Sequence, residues 1–232
     1  MKNKKIISYM KSKKKKLFEN KIGSFQVFIQ DPLPENVNIN GVFEEVESML
    51  PKYFLRLVDV VYIGDFSFFK ERDINAMYLD GALYISNEQD DNDDMKDDII
   101  HEFAHALEEK YNDFLYDDEE IKNEYFGKLK KLKNYLSFEG YDTRGLNFLN
   151  TEYDKKFDEF LLNDVGYDKL SNYIEGLFLA PYSVSSLREY FARAFEEFFL
   201  GDRLYLKSLC PYFYRKLLFL YENDPEAIKY EW

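Results

Sequence analysis

The hydrophobic period of this chain changes near residue 93, and that change limits the possible folds more than any other feature. Before it, apolar residues alternate. Residues 25–30 (Phe-Gln-Val-Phe-Ile-Gln) put Phe25, Val27 and Ile29 on one face, and Asp31-Pro32-Leu33-Pro34 ends the run. Residues 57–63 are rich in β-branched side chains and read as a second strand. Residues 76–79 and 82–86 flank Asp80-Gly81, a strong hairpin signal. One helix interrupts these strands, capped by Asn40, carrying Val42, Phe43, Val46, Met49 and Leu50, and stopped by Pro51. After residue 93 the apolar spacing becomes three and four, over segments near 94–112, 118–137, 152–164, 186–200 and 204–222. Gly140, Gly145, Gly166 and Gly201 punctuate them. Strands followed by a block of helices predict an α+β fold, with a small mixed sheet in an N-terminal lobe and a mainly helical C-terminal lobe. The expected organisation is a basic tail over residues 1–20 and one domain over 21–232. Its lobes divide at about 115/116, with a cleft between them as the natural ligand site.

Composition removes several classes. With 46% hydrophobic and 19% aromatic residues, the chain can fill a core and does not read as disordered. The single Cys210 has no disulfide partner, which fits a reducing compartment. No apolar run approaches the roughly 20 residues of a membrane-spanning helix. Residues 1–16 hold eight Lys and no acid, so removing them from the net charge of -13 leaves -21 on the rest. Such an acidic body repels nucleic-acid backbones and attracts basic ligands. The basic start reads as a solvated arm, with docking on an acidic partner as the alternative. Ile6 to Met10 is shorter than the roughly 7–15-residue apolar stretch of an export signal. A cytoplasmic, virion-associated or injected protein is the expectation.

The chemistry concentrates at the only two histidines. His101-Glu102-Phe103-Ala104-His105 is an H-E-x-x-H motif, an arrangement expected by chance roughly once per thousand such chains. On a helix, positions i and i+4 lie on one face about 5–6 Å apart, so both imidazoles can reach one Zn²⁺. Glu102 projects toward the same cavity and can take a proton from a water activated there. Ile99, Ile100, Phe103, Ala106 and Leu107 supply the helix's packing surface, and Asp93, Asp94, Asp97 and Asp98 favour its N-terminal end.

A catalytic zinc site needs a third protein ligand. No third His exists, and Cys210 lies far downstream, so the ligand is an acid. Glu108, Glu109 and Asp113 share the motif's helix and are carried away from the metal as it continues. Glu189, set among apolar residues 185–199, is the better candidate, because a buried carboxylate needs a partner or a metal. The competing reading is local: Ser186-x-x-Glu189 is a capping box that satisfies Glu189 at its own helix start. Both stand on spacing alone.

The motif together with Glu189-Tyr190-Phe191-Ala192-Arg193-Ala194-Phe195 resembles the zinc-metallopeptidase domain of the anthrax lethal factor family, which includes clostridial Pro-Pro endopeptidases. Tyr182 and Glu189 stand seven apart, as the family's tyrosine and third zinc ligand do. Leu206 to Pro211 also resembles a stretch that follows the ligand helix. The match covers roughly residues 76–113 and 180–222. The resemblance implies a zincin-like fold and a zinc-dependent endopeptidase. His101, His105 and Glu189 would hold zinc, Glu102 would be the general base, and Tyr182 would stabilise the oxyanion or protonate the leaving amine. The chain departs from the family in three respects. Arg193 replaces the acid four residues after the ligand, with Glu196 as a possible substitute. The interval from His105 to Glu189, 84 residues, is longer than in known members, so helices near 118–165 can reshape the cleft. No export signal is seen.

The expected substrate is a peptide or protein held against an edge strand, for which residues 82–86 are the candidate. The acids Asp90 to Asp98 serve either helix capping or attraction of a basic peptide. A calcium loop is disfavoured, since the required Gly and terminal Glu are missing. Two rivals remain: a non-catalytic zinc-binding interaction module on the same fold, such as a virion or toxin component, and a chance motif in a helical binding domain.

Overall fold

The alternating first third of the chain folds as strands β1 (Phe18–Ile22), β2 (Phe25–Ile29), β3 (Val60–Ile63), β4 (Ala76–Leu79) and β5 (Ala82–Ile85) in a computed structural model that describes residues 18–70 and 74–228. They form one mixed sheet in the order β1-β2-β3-β5-β4. The two outer pairs are antiparallel, and β2/β3 and β3/β5 are parallel. Residues 1–17 of the expected tail lie outside the described residues, while Phe18 to Asn20 belong to β1 rather than to a tail. The strand expected over 57–63 is confined to its last four residues.

Asp80 and Gly81 make the hairpin turn with φ of 50° and 81°. Positive φ at both central positions matches the twist of the paired strands, and Gly accepts it without a Cβ clash. The hairpin has a consequence for the site. It makes β4 the edge and leaves β5 interior, between β3 and β4. The expected edge over residues 82–86 is therefore corrected to Ala76–Leu79. Period-two alternation sorts β5 into two layers: Leu83 and Ile85 enter the main core, and Ala82 and Tyr84 pack with Phe66 and Phe69 on the other face.

The helices are α1 (Ile39–Met49), α2 (Lys52–Leu55), α3 (Ser67–Lys70), α4 (Asn92–Lys110), α5 (Asn112–Tyr116), α6 (Glu120–Phe138), α7 (Lys155–Glu159), α8 (Tyr167–Tyr173), α9 (Leu187–Leu200), α10 (Arg203–Leu209), α11 (Pro211–Glu222) and α12 (Pro225–Ile228). Asn38, not Asn40, caps α1, its side chain accepting from the Gly41 N–H. The helix read near 152–164 is α7 continued by a π-helical turn over Phe160–Val165, closed by the Gly166 N–H on the Leu161 carbonyl. The segment near 204–222 is two helices, because Pro211 lacks the N–H that would continue α10. No described helix is long and apolar enough to cross a membrane.

The main core runs from Phe25 on the sheet, through Phe103 on α4, to Phe195 on α9 and Leu217 on α11, so both lobes share it. Within it α4 and α9 make the most extensive helix–helix contact. That contact brings together residues distant in sequence and creates the site.

Candidate metal centre

Two buried helices meet at the centre because each presents an apolar stripe. On α4 the side chains from Glu102 to Glu108 are all buried, and on α9 Tyr190, Phe191, Ala192, Ala194 and Phe195 are. Asp91 fixes the start of α4 by accepting from the Asp93 and Asp94 N–H groups. Asp93 also pairs with Lys96, and Asp94 accepts from the Asp90 N–H, so these acids act locally at the helix start.

His101 and His105 stand one turn apart, ring centroids 4.8 Å from each other and planes at 85°. Glu189 arrives from the first turn of α9. Its Oε2 lies 3.2 Å from His101 Nε2 and its Oε1 3.8 Å from His105 Nε2. Only half of the alternative capping box forms: Ser186 Oγ accepts from the Glu189 N–H, but the carboxylate faces the imidazoles. Glu189 Oε2 is buried, with His101 Nε2 as its close polar neighbour. Donor atoms bound tetrahedrally at about 2.0–2.1 Å from zinc lie about 3.3–3.4 Å from one another. Two imidazoles and a nearby carboxylate are a donor set able to hold a divalent metal ion. Ligand atoms of His101, Glu102 and His105 also lie within 4.8 Å of one another.

The electrostatics separate the groups. Burial pushes the Glu102 carboxyl up to about 7, against the His101 cation and the Tyr78 N–H that donates to Oε2 at 2.5 Å. Burial opposes charge on His101, yet Glu189 and Glu196 outweigh it and raise its pKa. Burial, with the Arg188 and His101 cations, holds His105 well below the ordinary range and therefore neutral, the form that ligates.

The carboxylate behind His101 comes from Glu196, whose Oε1 lies 2.5 Å from Nδ1, while its Oε2 pairs with Arg193. The substitute weighed for the acid displaced by Arg193 thus sits where a histidine-orienting carboxylate belongs. Glu109 and Asp113 are exposed and take no part, whereas Glu108 is buried against the far side of His105.

Tyr182 stands in a 3₁₀ turn, Pro181–Val184, just before α9, and is 41% exposed. Burial of its hydroxyl end and the nearby Glu189 charge raise its phenol. Asp158, Tyr167 and Tyr153 contribute to the same field, and both of those tyrosines donate to Asp158. The segment between the motif and α9 therefore reaches the site: Thr151 accepts from the Leu187 N–H at the head of α9. Sequence reading missed Asp158, Tyr153 and Tyr167, because no periodic signal ties residues 151–167 to the motif.

No family model matches this chain, and neither a curated protein nor a solved structure is similar to it.

Proposed function

We propose that the chain is a zinc-dependent endopeptidase of zincin-like fold, with His101, His105 and Glu189 as metal ligands and Glu102 as general base. The observation that carries this reading is the convergence of Glu189 on both Nε2 atoms, at 3.2 and 3.8 Å. Zinc bound there supplies a Lewis acid that lowers the pKa of a water to about 7. Glu102 takes the water's proton as the oxygen attacks the peptide carbonyl. Burial raises the Glu102 carboxyl above the ordinary carboxylate range, which strengthens it as a base. The Tyr78 N–H holds one carboxylate oxygen in place and leaves the other for the proton. Tyr182 donates its hydroxyl to the oxyanion. Its raised pKa keeps that proton in place at neutral pH.

The substrate is a peptide added to β4. The Ser86 N–H bonds the Asn75 carbonyl, so alternation turns the Ala76 and Tyr78 backbone groups away from β5. Their carbonyls can accept from an extended chain.

Zinc content and peptide-library cleavage, compared between wild type and Glu102→Gln, test the reading. One zinc per chain is expected in both, with turnover about 10²–10⁴-fold lower in the variant. Zinc without turnover in the wild type would favour the non-catalytic module. Absence of stoichiometric zinc, or full activity in Glu102→Gln, would end the assignment.

A further inference from the structure

We infer that Glu108 is a positioning residue for His105, its carboxylate accepting from the imidazole Nδ1–H and holding the ring in its ligating orientation. The inference rests on the zinc reading above and adds a residue which that reading does not use.

His105 and Glu108 lie at i and i+3 on α4, neighbours on one face. Both are buried. His105 Nδ1 has no hydrogen-bond partner, and neither does Glu108 Oε2. These two unsatisfied atoms face each other at 4.0 Å. A ring that ligates through Nε2 carries its proton on Nδ1, so one atom is a donor and the other an acceptor. Left unpaired, each costs roughly 1–3 kcal/mol. About 1 Å of movement brings them to hydrogen-bond distance, a tightening common when a site takes up its ligand.

The other contacts of Glu108 allow that movement. Tyr116 donates its hydroxyl to Oε1 at 2.5 Å, anchoring one oxygen and leaving Oε2 to turn. Arg188 Nη1 lies 3.8 Å from Oε2 and offsets the carboxylate's charge from the solvent side. The other imidazole has the same arrangement: Glu196 on His101 Nδ1, with Arg193 behind it. Each ring is thus backed by a glutamate near an arginine.

A structural alternative makes Glu108 only the anchor of Tyr116. The two roles separate in full-length protein measured three ways: zinc Kd by chelator competition, the visible spectrum of the cobalt-substituted protein, and melting of the metal-free protein. Glu108→Met keeps the side-chain length but has no oxygen acceptor. It is expected to weaken zinc binding about 10–100-fold and to alter the cobalt spectrum. Glu108→Gln, whose amide oxygen still accepts, is expected to recover part of that loss. Tyr116→Phe leaves the acceptor in place and is expected to keep the zinc Kd within about threefold, because the Nδ1 bond survives. If Glu108→Met does not fold, Glu108→Asp decides, since its shortened carboxylate cannot reach Nδ1 and is expected to lose the same 10–100-fold, roughly. Lower melting with wild-type zinc affinity and cobalt spectrum in the Glu108 variants would overturn the inference alone. A wild type that binds no zinc would overturn the zinc reading with it.

Discussion

Replacing Glu196 with Ala tests whether the carboxylate behind His101 serves the metal or merely fills space. Glu196 is buried, holds His101 Nδ1 at 2.5 Å with one oxygen and pairs with Arg193 through the other. Loss of such an orienting carboxylate typically weakens metal binding about 10–100-fold, or roughly 1.4–2.7 kcal/mol. At free zinc buffered to about 1,000 times the wild-type Kd, zinc stabilises the wild type by about 4.1 kcal/mol. The same zinc is then only about 10–100 times the variant's Kd, and its gain falls to about 1.4–2.7 kcal/mol. For a chain of this length 1 kcal/mol moves the melting temperature by roughly 2–4 °C. The zinc-induced rise should therefore shrink by about 3–11 °C. Thermal melts of both proteins, each with and without zinc, give that rise directly. Comparing rises rather than melting temperatures cancels the direct effect of losing the Arg193 pair. Equal rises in the two proteins would refute the reasoning.

Burial pushes the Asp98 carboxyl from an ordinary 3.8 up to about 6, against the hydrogen bond from Gln89. The folded-state pKa is the higher one, so this contribution favours folding below about pH 4 and is lost as pH rises through about 6. Asp98→Asn should stabilise the metal-free protein by up to about 3 kcal/mol at pH 8 and by little at pH 4, in urea unfolding; an equal change at both pH values would contradict this. Lys216 is buried and donates to the Phe114 and Leu115 carbonyls and to Asp118. Asp118 is exposed, so Lys216→Met strands only the carbonyl acceptors and should cost about 1–3 kcal/mol in the same assay; no change in the denaturation midpoint would show that these bonds contribute little net stability. Gly81→Val places a branched side chain at φ 81°, with its Cβ 2.9 Å from Asp59 Oδ2, and should lower stability by at least about 1–2 kcal/mol; an unchanged denaturation midpoint would argue against that strain.

The parts of this fold that the sequence made readable are those whose determinants are local. Asp80-Gly81 forced the β4–β5 turn, Asp91 and its neighbours started α4, and the His101/His105 spacing put two imidazoles on one helix face. Strand order was not readable, because it depends on parallel crossovers that no local pattern encodes; nothing local to residues 82–86 marks them as interior. Glu189 was ambiguous for a physical reason: the Ser186 hydroxyl satisfies its N–H whichever way the carboxylate points. Only the packing of α9 on α4 decides the direction. Pro211 was visible as a residue, but the periodicity on both sides hid the break it makes.

The same helix packing explains why so much charge is tolerated at one place. Glu102, Glu108, Glu189 and Glu196 surround the two imidazoles, Asp98 lies in the same field, and Arg188 and Arg193 oppose them, so carboxylates outnumber the guanidinium groups there. With neutral imidazoles, a net negative charge remains, in surroundings where an unpaired buried charge is strongly unfavourable. Without a cation, burial shifts Glu102 and Glu108 toward protonation, and the Glu189 and Glu196 carboxylates draw a proton onto His101. A divalent ion held by His101, His105 and Glu189, as proposed, would supply positive charge at the point the carboxylates face. It would also leave both Nδ1–H groups to Glu196 and Glu108. On this view the carboxylates between α4 and α9 are placed to face one cation, and the α4–α9 contact would gain stability from an ion held there.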